Sequence, residues 1–307
     1  MYDIIGDIHG HSSRLEALLR HMGYEQDSQG WRHPERQAIF VGDFIDRGPE
    51  QVETYRLVRS MIERGAALAV MGNHEFNAVA FKTPHPEQPG ERLRRHTDKN
   101  RKQHSEFLDQ VGEDSPLHDE MIAWFKTLPL YLDLEGLRVV HACWHDDSLE
   151  TLRPLLDHRQ CLIDEAWVDA ARKGTEAYNA AETLLKGLEI PLPDGESFLD
   201  KEQNERHHIR TRWWEQGGGT YRSVAMMDDA TRATLSDAPV PDDVLPGYTD
   251  DKPVFVGHYW LRGTPEPMSD RVACLDYTVT ELAPEGKLTA YRWEGSLRHS
   301  RDGFFWV

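Results

Sequence analysis

Apolar segments of strand length recur along the chain, and helical spacing follows the first of them. Residues 2–6, 38–41 and 67–71 have the length and apolar content of buried strands. Apolar side chains then recur every three or four residues after the first two segments: Leu15, Leu18, Leu19 and Met22, then Val52, Tyr55, Val58 and Ile62. This alternation predicts strand–helix units built on one sheet. Because Ser13 to Glu16 has the form of a capping box, we expect the first helix to begin there.

The strand pattern lapses twice and resumes after each interruption. Further strands are predicted at residues 130–134, 137–140, 253–257, 273–276 and 288–293. We interpret residues of about 77–129 and 147–252 as helical insertions in a single domain that spans residues 1–307. Residues 91–106 have helical character and a local excess of three positive charges. This excess could face a phosphorylated substrate, but a solvated helix face is the interpretation that we favour.

The overall charge restricts the class of partner. The chain has 35 Lys and Arg against 53 Asp and Glu, a net charge of −18, which opposes non-specific nucleic-acid binding. A phosphorylated substrate held by local metal ions and arginines remains compatible with it. Three cysteines without a CxxC pair predict no disulfide framework. No apolar run approaches the ~18 residues of a membrane span. A cleavable leader is also hard to fit, because the first candidate functional residue is already Asp7. We expect a cytoplasmic protein that does not bind membranes.

Polar clusters stand at the ends of the predicted strands. Asp7-Ile8-His9 follows the first strand, Gly42 to Arg47 the second and Gly72 to Glu75 the third. His141 and His258 close two later strands. Since open α/β sheets bind ligands at the carboxyl ends of their strands, we expect these side chains to meet.

The candidate metal ligands share one chemistry, because all are oxygen or nitrogen donors: Asp7, His9, Asp43, Asn73, His141 and His258. Such a set suits manganese, iron or zinc in an open site, rather than structural zinc or calcium. Six ligands fit two divalent ions that share one carboxylate. Two ions ~3.5–4 Å apart can clamp a phosphoryl group and activate a water for in-line attack. His145 lies in the loop after His141 and stays unassigned.

The order of these motifs resembles that of the calcineurin-like metallophosphoesterases. Within them it resembles the phosphoprotein phosphatases and the symmetrical diadenosine tetraphosphatases. The resemblance implies an α/β (α+β) fold, a β-sandwich flanked by helices, with the insertions lying over the site. It also implies the division of the ligands: Asp7 and His9 on one ion, Asp43 bridging both, and Asn73, His141 and His258 on the other.

The resemblance further implies roles for residues that do not bind metal. Arg47 would grip the substrate phosphate, His74 would protonate the leaving oxygen, and Asp46 would orient His74. A second phosphate-binding arginine is expected in the later insertion, where Arg210 or Arg212 could serve.

Two segments depart from the family pattern. Gly257 to Trp260 lacks the second histidine of the Gly-His-x-His motif, which favours the phosphatase branch over nuclease-type relatives. The family's Leu-Asp-x-Gly segment appears as Leu275 to Thr278, without its glycine.

Three functions remain open. The first is a manganese-dependent phosphatase, with iron or zinc as alternative metals, that hydrolyses phosphate monoesters on protein or small molecules by attack of a metal-bound hydroxide. The second is a hydrolase of dinucleoside polyphosphates or nucleotide ends, with Trp213, Trp214 or Trp260 stacking on a base. The third is a non-catalytic scaffold that keeps the metal fold. The presence of the acid and of the phosphate-gripping arginine argues against the scaffold.

Overall fold

Two sheets packed face to face form the centre of the chain. They are seen in a computed structural model that describes residues 1–199, 204–241, 244–280 and 285–307. The helices are α1 (Ser12–His21), α2 (Gln51–Glu63), α3 (Asn73–Lys82), α4 (Asp98–Gln103), α5 (Ser105–Val111), α6 (Pro116–Phe125), α7 (Asp146–Leu152), α8 (Trp167–Ala171), α9 (Glu176–Lys186), α10 (Tyr221–Val224) and α11 (Asp229–Arg232). Short 3₁₀ turns lie at Arg153–Leu155, Asp164–Ala166 and Arg301–Gly303.

The strands are short, and most belong to the two central sheets. They are β1 (Tyr2–Ile5), β2 (Glu25–Asp27), β3 (Gly30–Arg32), β4 (Gln37–Phe40), β5 (Ala67–Ala69), β6 (Tyr131–Asp133), β7 (Arg138–Val140), β8 (Glu189–Pro191), β9 (Phe198–Leu199), β10 (Glu205–Arg206), β11 (His208–Arg210), β12 (Val254–Val256), β13 (Val272–Cys274), β14 (Asp276–Tyr277), β15 (Lys287–Trp293) and β16 (Phe304–Trp306). Each predicted strand is present, although the segment 273–276 is divided between β13 and β14.

The first sheet has the order β14-β15-β1-β4-β5, with β16 paired to β15. Strands β1, β4 and β5 run parallel, while β15 pairs antiparallel with β1. The second sheet has the order β13-β12-β7-β6, and its first three strands are parallel. The carboxyl ends of the parallel strands therefore supply the loops that carry the candidate ligands.

Side-chain alternation along each strand separates two cores. Ile4 and Ile39 face the second sheet and are fully buried with Val139 and Phe255. Ile5 and its neighbours on the other face pack instead with the helices. Successive side chains point to opposite faces of a strand. The first sheet therefore lies between the two cores and contributes side chains to both. The predicted β-sandwich flanked by helices is confirmed.

The insertions are less helical than predicted. Residues 91–97 are irregular, and only α4 and α5 are helical in the basic segment. The later insertion carries the short hairpins β8–β11 and β9–β10 among its helices. The predicted capping box is wrong: α1 begins at Ser12, and the backbone N–H of Ser13 donates to Glu50. The domain and insertion boundaries stay predictions. None of the helices in the described parts of the chain has the length and apolar character needed to cross a membrane.

Candidate metal and catalytic site

The loops that follow β1, β4, β5, β7 and β12 meet at one edge of the sandwich. Several of their residues have a positive φ, which is rare outside glycine: His9 (46°), Asp43 (52°), Asp46 (68°), Arg47 (72°) and His258 (72°). Such conformations cost of order 1–3 kcal/mol each and persist where the surrounding structure enforces them. Strain is thus concentrated at the residues that carry the candidate chemistry.

Asp43 lies at the centre of this cluster and is buried. Its Oδ2 is 3.3 Å from His141 Nε2, 3.7 Å from His9 Nε2 and 3.9 Å from His74 Nε2. Potential metal-binding atoms fall into two groups that share Asp43, one with His9 and His74 and the other with His141 and His258. A carboxylate shared between two groups has the position that a bridging ligand requires.

Asn73 and Asp7 complete the cluster. Asn73 Oδ1 is 2.7 Å from His258 Nδ1 and 3.2 Å from His141 Nε2. Asp7 accepts a hydrogen bond from the backbone N–H of His258. The structure therefore brings together all six predicted ligands, from five separate loops.

Backbone carbonyls orient two of the imidazoles. His9 Nδ1 donates to Ile45 O at 2.9 Å, and His141 Nδ1 donates to Val41 O at 2.7 Å. A hydrogen bond at one ring nitrogen fixes the tautomer and leaves the other lone pair available for a metal. In both residues the other ring nitrogen is Nε2, which faces Asp43.

The residues present fit divalent cations. Asp7 Oδ1 and His258 Nε2 are buried and have no hydrogen-bond partner in the described parts of the chain. Burial, followed by the neighbouring Asp276, raises the pKa of Asp7 well above its ordinary value. Burial opposes a charge on His141, but the Asp43 carboxylate raises the pKa of that imidazole to about 10. A field that attracts a proton so strongly also favours a metal cation, and the unpartnered oxygen and nitrogen supply suitable donors.

Glu75 holds two of the loops in place. Its Oε1 accepts hydrogen bonds from the backbone N–H groups of Phe44 and Ile45, and its Oε2 accepts from those of Asp43 and Gly72. Burial, followed by repulsion from Asp43, raises the pKa of Glu75 to about 8, while the backbone donors favour the charged form. Gly72 is required because a Cβ there would lie 2.2 Å from Asp43 Oδ1. This role of Glu75 is not predictable from the Gly72–Glu75 motif alone.

Arg47 lies at the mouth of the site. Its guanidinium donates to His9 Nε2 at 2.9 Å and to His74 Nε2 at 3.2 Å. Binding of a metal at His9 Nε2 requires the guanidinium to leave that nitrogen. The indole of Trp260 stacks on the guanidinium at 3.9 Å and is 40% exposed. This cation–π contact places an open aromatic face beside the predicted phosphate grip.

His74 is paired with Asp46, as predicted. His74 Nδ1 donates to Asp46 Oδ2 at 2.5 Å, and the other carboxylate oxygen accepts from His104 Nδ1 at 2.6 Å. Burial acts to raise the pKa of Asp46, but the two imidazoles, His104 foremost, lower it below its ordinary value. Asp46 is therefore charged and oriented from both sides. His104 was not predicted from the sequence, because it lies 58 residues along the chain from Asp46 and belongs to no recognisable motif.

The two candidate phosphate-binding arginines and the unassigned His145 have different surroundings. Arg210 is near enough to His258 that its charge, after burial, lowers the pKa of that imidazole. Arg212 pairs with Glu215, the acidic residue three positions later. His145 caps α7 by accepting a hydrogen bond from the backbone of Ser148. The role of either arginine as a phosphate ligand stays a prediction.

The fold and this cluster define a metallophosphoesterase, and sequence comparison gives the same class. Residues 2–180 match the family model of the calcineurin-like phosphoesterases. The chain belongs to that family, which confirms the predicted family and its class as a phosphoric ester hydrolase. Divalent metals serve the chemistry of this family.

Curated relatives cover part of the chain. An asymmetrical bis(5′-nucleosyl)-tetraphosphatase of a Geobacillus species is 49% identical over 73 residues, 24% of this chain and 30% of the relative. The corresponding protein of Oceanobacillus iheyensis is 30% identical over 141 residues, 46% of this chain and 54% of the relative. A symmetrical bis(5′-nucleosyl)-tetraphosphatase of Aromatoleum aromaticum is 36% identical over 138 residues, 45% of this chain and 42% of the relative. The matched segments thus span about half or less of these relatives.

A solved structure supports the fold over a longer range. The cold-active protein-tyrosine phosphatase of a psychrophilic Shewanella species superposes with a TM-score of 0.50 at 15% identity, over 95% of this chain and 75% of that one. At this identity the likeness concerns the fold alone.

Proposed function

We propose that this protein is a phosphohydrolase that uses two divalent metal ions, manganese first, to cleave phosphate monoesters on protein or small molecules. The observation that carries the proposal is the central Asp43 carboxylate, shared by two groups of imidazoles. The ions would be held by Asp7, His9, Asp43, Asn73, His141 and His258. When bound, they would supply positive charge that stabilises the phosphoryl oxygens and lowers the pKa of a nucleophilic water.

The protein's own side chains contribute phosphate binding and proton transfer. Arg47 offers a planar guanidinium whose N–H groups match phosphate oxygens. Hydrolysis forms a bond between a water oxygen and phosphorus and breaks the bond to the leaving oxygen, which keeps the electron pair. His74 delivers a proton to that oxygen, and the proton released by the water balances the reaction. Asp46 and, behind it, His104 hold the His74 ring in place.

A dinucleoside polyphosphate is the second candidate substrate. Trp260 favours it, because its exposed indole beside Arg47 could stack on a nucleobase. Trp213 and Trp214 are 0% and 7% exposed and cannot offer a face to a base, so these two predicted platforms are wrong. The names of the curated relatives agree with this candidate. A non-catalytic scaffold would not need the complete His74–Asp46–His104 arrangement, which argues against the third function.

The test is metal-dependent turnover on a panel of substrates. Chelator-treated protein is expected to lose activity and to regain it with Mn²⁺ better than with Mg²⁺. p-Nitrophenyl phosphate, phosphopeptides, 2′,3′-cyclic nucleotides and diadenosine tetraphosphate would separate the substrate classes. Full turnover by metal-free protein, or no turnover on any substrate after metal loading, would refute the proposal.

A further inference from the structure

A cationic cavity lies beside the catalytic cluster, between α3, the segment 84–100 and the end of the α8–α9 region. Its volume is about 570 Å³, within the range of roughly 300–1,000 Å³ typical of small-molecule sites. The described residues that line it include six cationic side chains, Arg92, Arg94, Arg95, Arg172, Lys173 and Lys186, and a single carboxylate, Glu182. In a chain with a net charge of −18 this concentration of positive charge is local.

Four of these six cations form no salt bridge to a described residue. Lys186 pairs with Glu182, and Arg172 pairs with Asp169. By contrast, Arg92, Arg94, Arg95 and Lys173 have no salt bridge to any residue that the structure describes. Like charges gathered with few counter-charges repel one another, so the cavity is suited to an anion that neutralises them.

Arg94 shows this preference most directly. Its guanidinium donates to the side-chain oxygens of Asn77, at 3.1 Å, and Gln103, at 3.0 Å. Both hydrogen-bond partners are neutral amides, so the guanidinium is oriented without an ion pair, and the more distant carboxylates of Glu182 and Asp46 only partly offset its burial. Burial lowers the pKa of Arg94 below its ordinary value, in agreement with a desolvated cation. Desolvated guanidinium groups bind phosphate oxygens strongly.

The cavity lies next to the surroundings of the proton donor. A small pocket lined by His74 and Asp46 shares Asn77, Arg94 and Asn100 with the larger cavity. Asn77 also follows His74 by three residues on α3, so both side chains lie on the same face of that helix. A leaving group that departs past His74 along this face would therefore approach the cationic cavity.

We infer that this cavity binds the phosphate chain of the leaving group, so that the enzyme acts on phosphoanhydrides whose leaving group carries further phosphates. The inference rests on the proposed phosphohydrolase function and selects the second of its candidate substrates. An oligophosphate leaves as a weak base with high negative charge, and it therefore needs neighbouring cations more than a proton. The cavity supplies those cations next to the residue that would serve a more basic leaving group. Three of the six cationic side chains of residues 91–106, Arg92, Arg94 and Arg95, thus line the cavity.

The first experiment measures binding without catalysis. Isothermal titration calorimetry of the full chain with inorganic tripolyphosphate, in buffer with excess EDTA, removes the contribution of the metal ions. Arg94→Gln is expected to weaken binding about tenfold to a hundredfold, the range for a lost charge-assisted hydrogen bond. The double variant Arg95→Gln/Lys173→Gln, at exposed positions that do not threaten folding, is expected to weaken it about tenfold as well. Arg56→Gln makes the same change at an exposed position of α2 outside the cavity and should bind as the wild type does.

The second experiment uses the metal-loaded enzyme. The ratio of kcat/KM for diadenosine tetraphosphate to that for p-nitrophenyl phosphate should fall about tenfold or more in both cavity variants, and not in Arg56→Gln. Wild-type affinity for tripolyphosphate in both variants, or an unchanged ratio, would overturn the inference. A loss confined to acidic phosphopeptides would assign the cavity to a peptide and overturn it also. If tripolyphosphate binding falls in the variants while the wild type hydrolyses nothing, the proposed function alone has failed.

Discussion

Replacement of Glu75 by glutamine, compared at pH 9, tests whether a charged carboxylate holds the two central loops, because burial raises the pKa of Glu75 to about 8. Each oxygen of Glu75 accepts hydrogen bonds from two backbone N–H groups, Oε1 from Phe44 and Ile45 and Oε2 from Asp43 and Gly72. Glutamine keeps one oxygen, so its NH₂ group must face two buried donors. Each unsatisfied buried N–H costs about 1–3 kcal/mol, and Glu75→Gln is therefore expected to destabilise the fold by about 2–6 kcal/mol.

Thermal unfolding followed by circular dichroism measures this change. At about 2 °C per kcal/mol, the midpoint should fall by roughly 4–12 °C. Glu53→Gln is the matched control, because it removes the same charge at an exposed position of α2 and should change stability by less than about 0.5 kcal/mol. A Glu75→Gln protein as stable as the wild type would refute the reasoning, since it would mean that the native Glu75 is already neutral.

The remaining predictions concern the metal site, the proton donor and a remote histidine. Asp43→Asn is expected to release at least one ion and to lower kcat by several orders of magnitude. Two tightly bound ions in elemental analysis, together with near-normal activity, would contradict the role of Asp43 as the shared ligand. His74→Asn should keep both ions and slow the hydrolysis of alkyl phosphates about 10²–10⁴-fold, but slow that of p-nitrophenyl phosphate distinctly less. The control variant Arg47→Ala should slow the hydrolysis of both substrates alike. Equal losses on both substrates in the His74 variant would exclude His74 as the acid. Burial lowers the pKa of His299 to about 4. Between pH 6.5 and pH 4 this imidazole is therefore protonated in the unfolded chain but neutral in the folded protein. About 3 kcal/mol of stability is lost as the pH falls through that range. His299→Phe should flatten that dependence in urea titrations at several pH values, and an unchanged slope would disprove the assignment.

The convergence of the candidate metal ligands could be predicted because each of them follows a strand that is recognisable in a short stretch of sequence. Asp7, Asp43 and Asn73 directly follow buried strands, and parallel strands bring their carboxyl ends to one edge. The same reasoning holds for a ligand that is distant along the chain: His258 follows strand β12, which brings it to the same edge. The flanking helices were predictable for a similar reason, because their apolar spacing is a property of a short window.

Features that depend on contacts between distant segments were not predictable. His104 reaches Asp46 across 58 residues from within an insertion that has no motif. The capping box at Ser13 failed because Glu50, from another loop, takes the backbone N–H that a local cap would need. Arg94 hydrogen-bonds to two amides and forms no salt bridge with a described residue, an arrangement that depends on which side chains it meets after folding and that the residue order does not specify.

The pairing of β1 has a consequence for synthesis of the chain. This strand, which positions Asp7, lies between β4 and β15, and Tyr2 is paired with Trp293. At about 5–20 residues per second, the ribosome completes β15 roughly 15–60 s after β1. During that interval one edge of β1 has no partner from β15, and His258 is absent for most of it. An unpaired strand edge is a template for aggregation, so the nascent chain is expected to depend on chaperones until its last strands emerge.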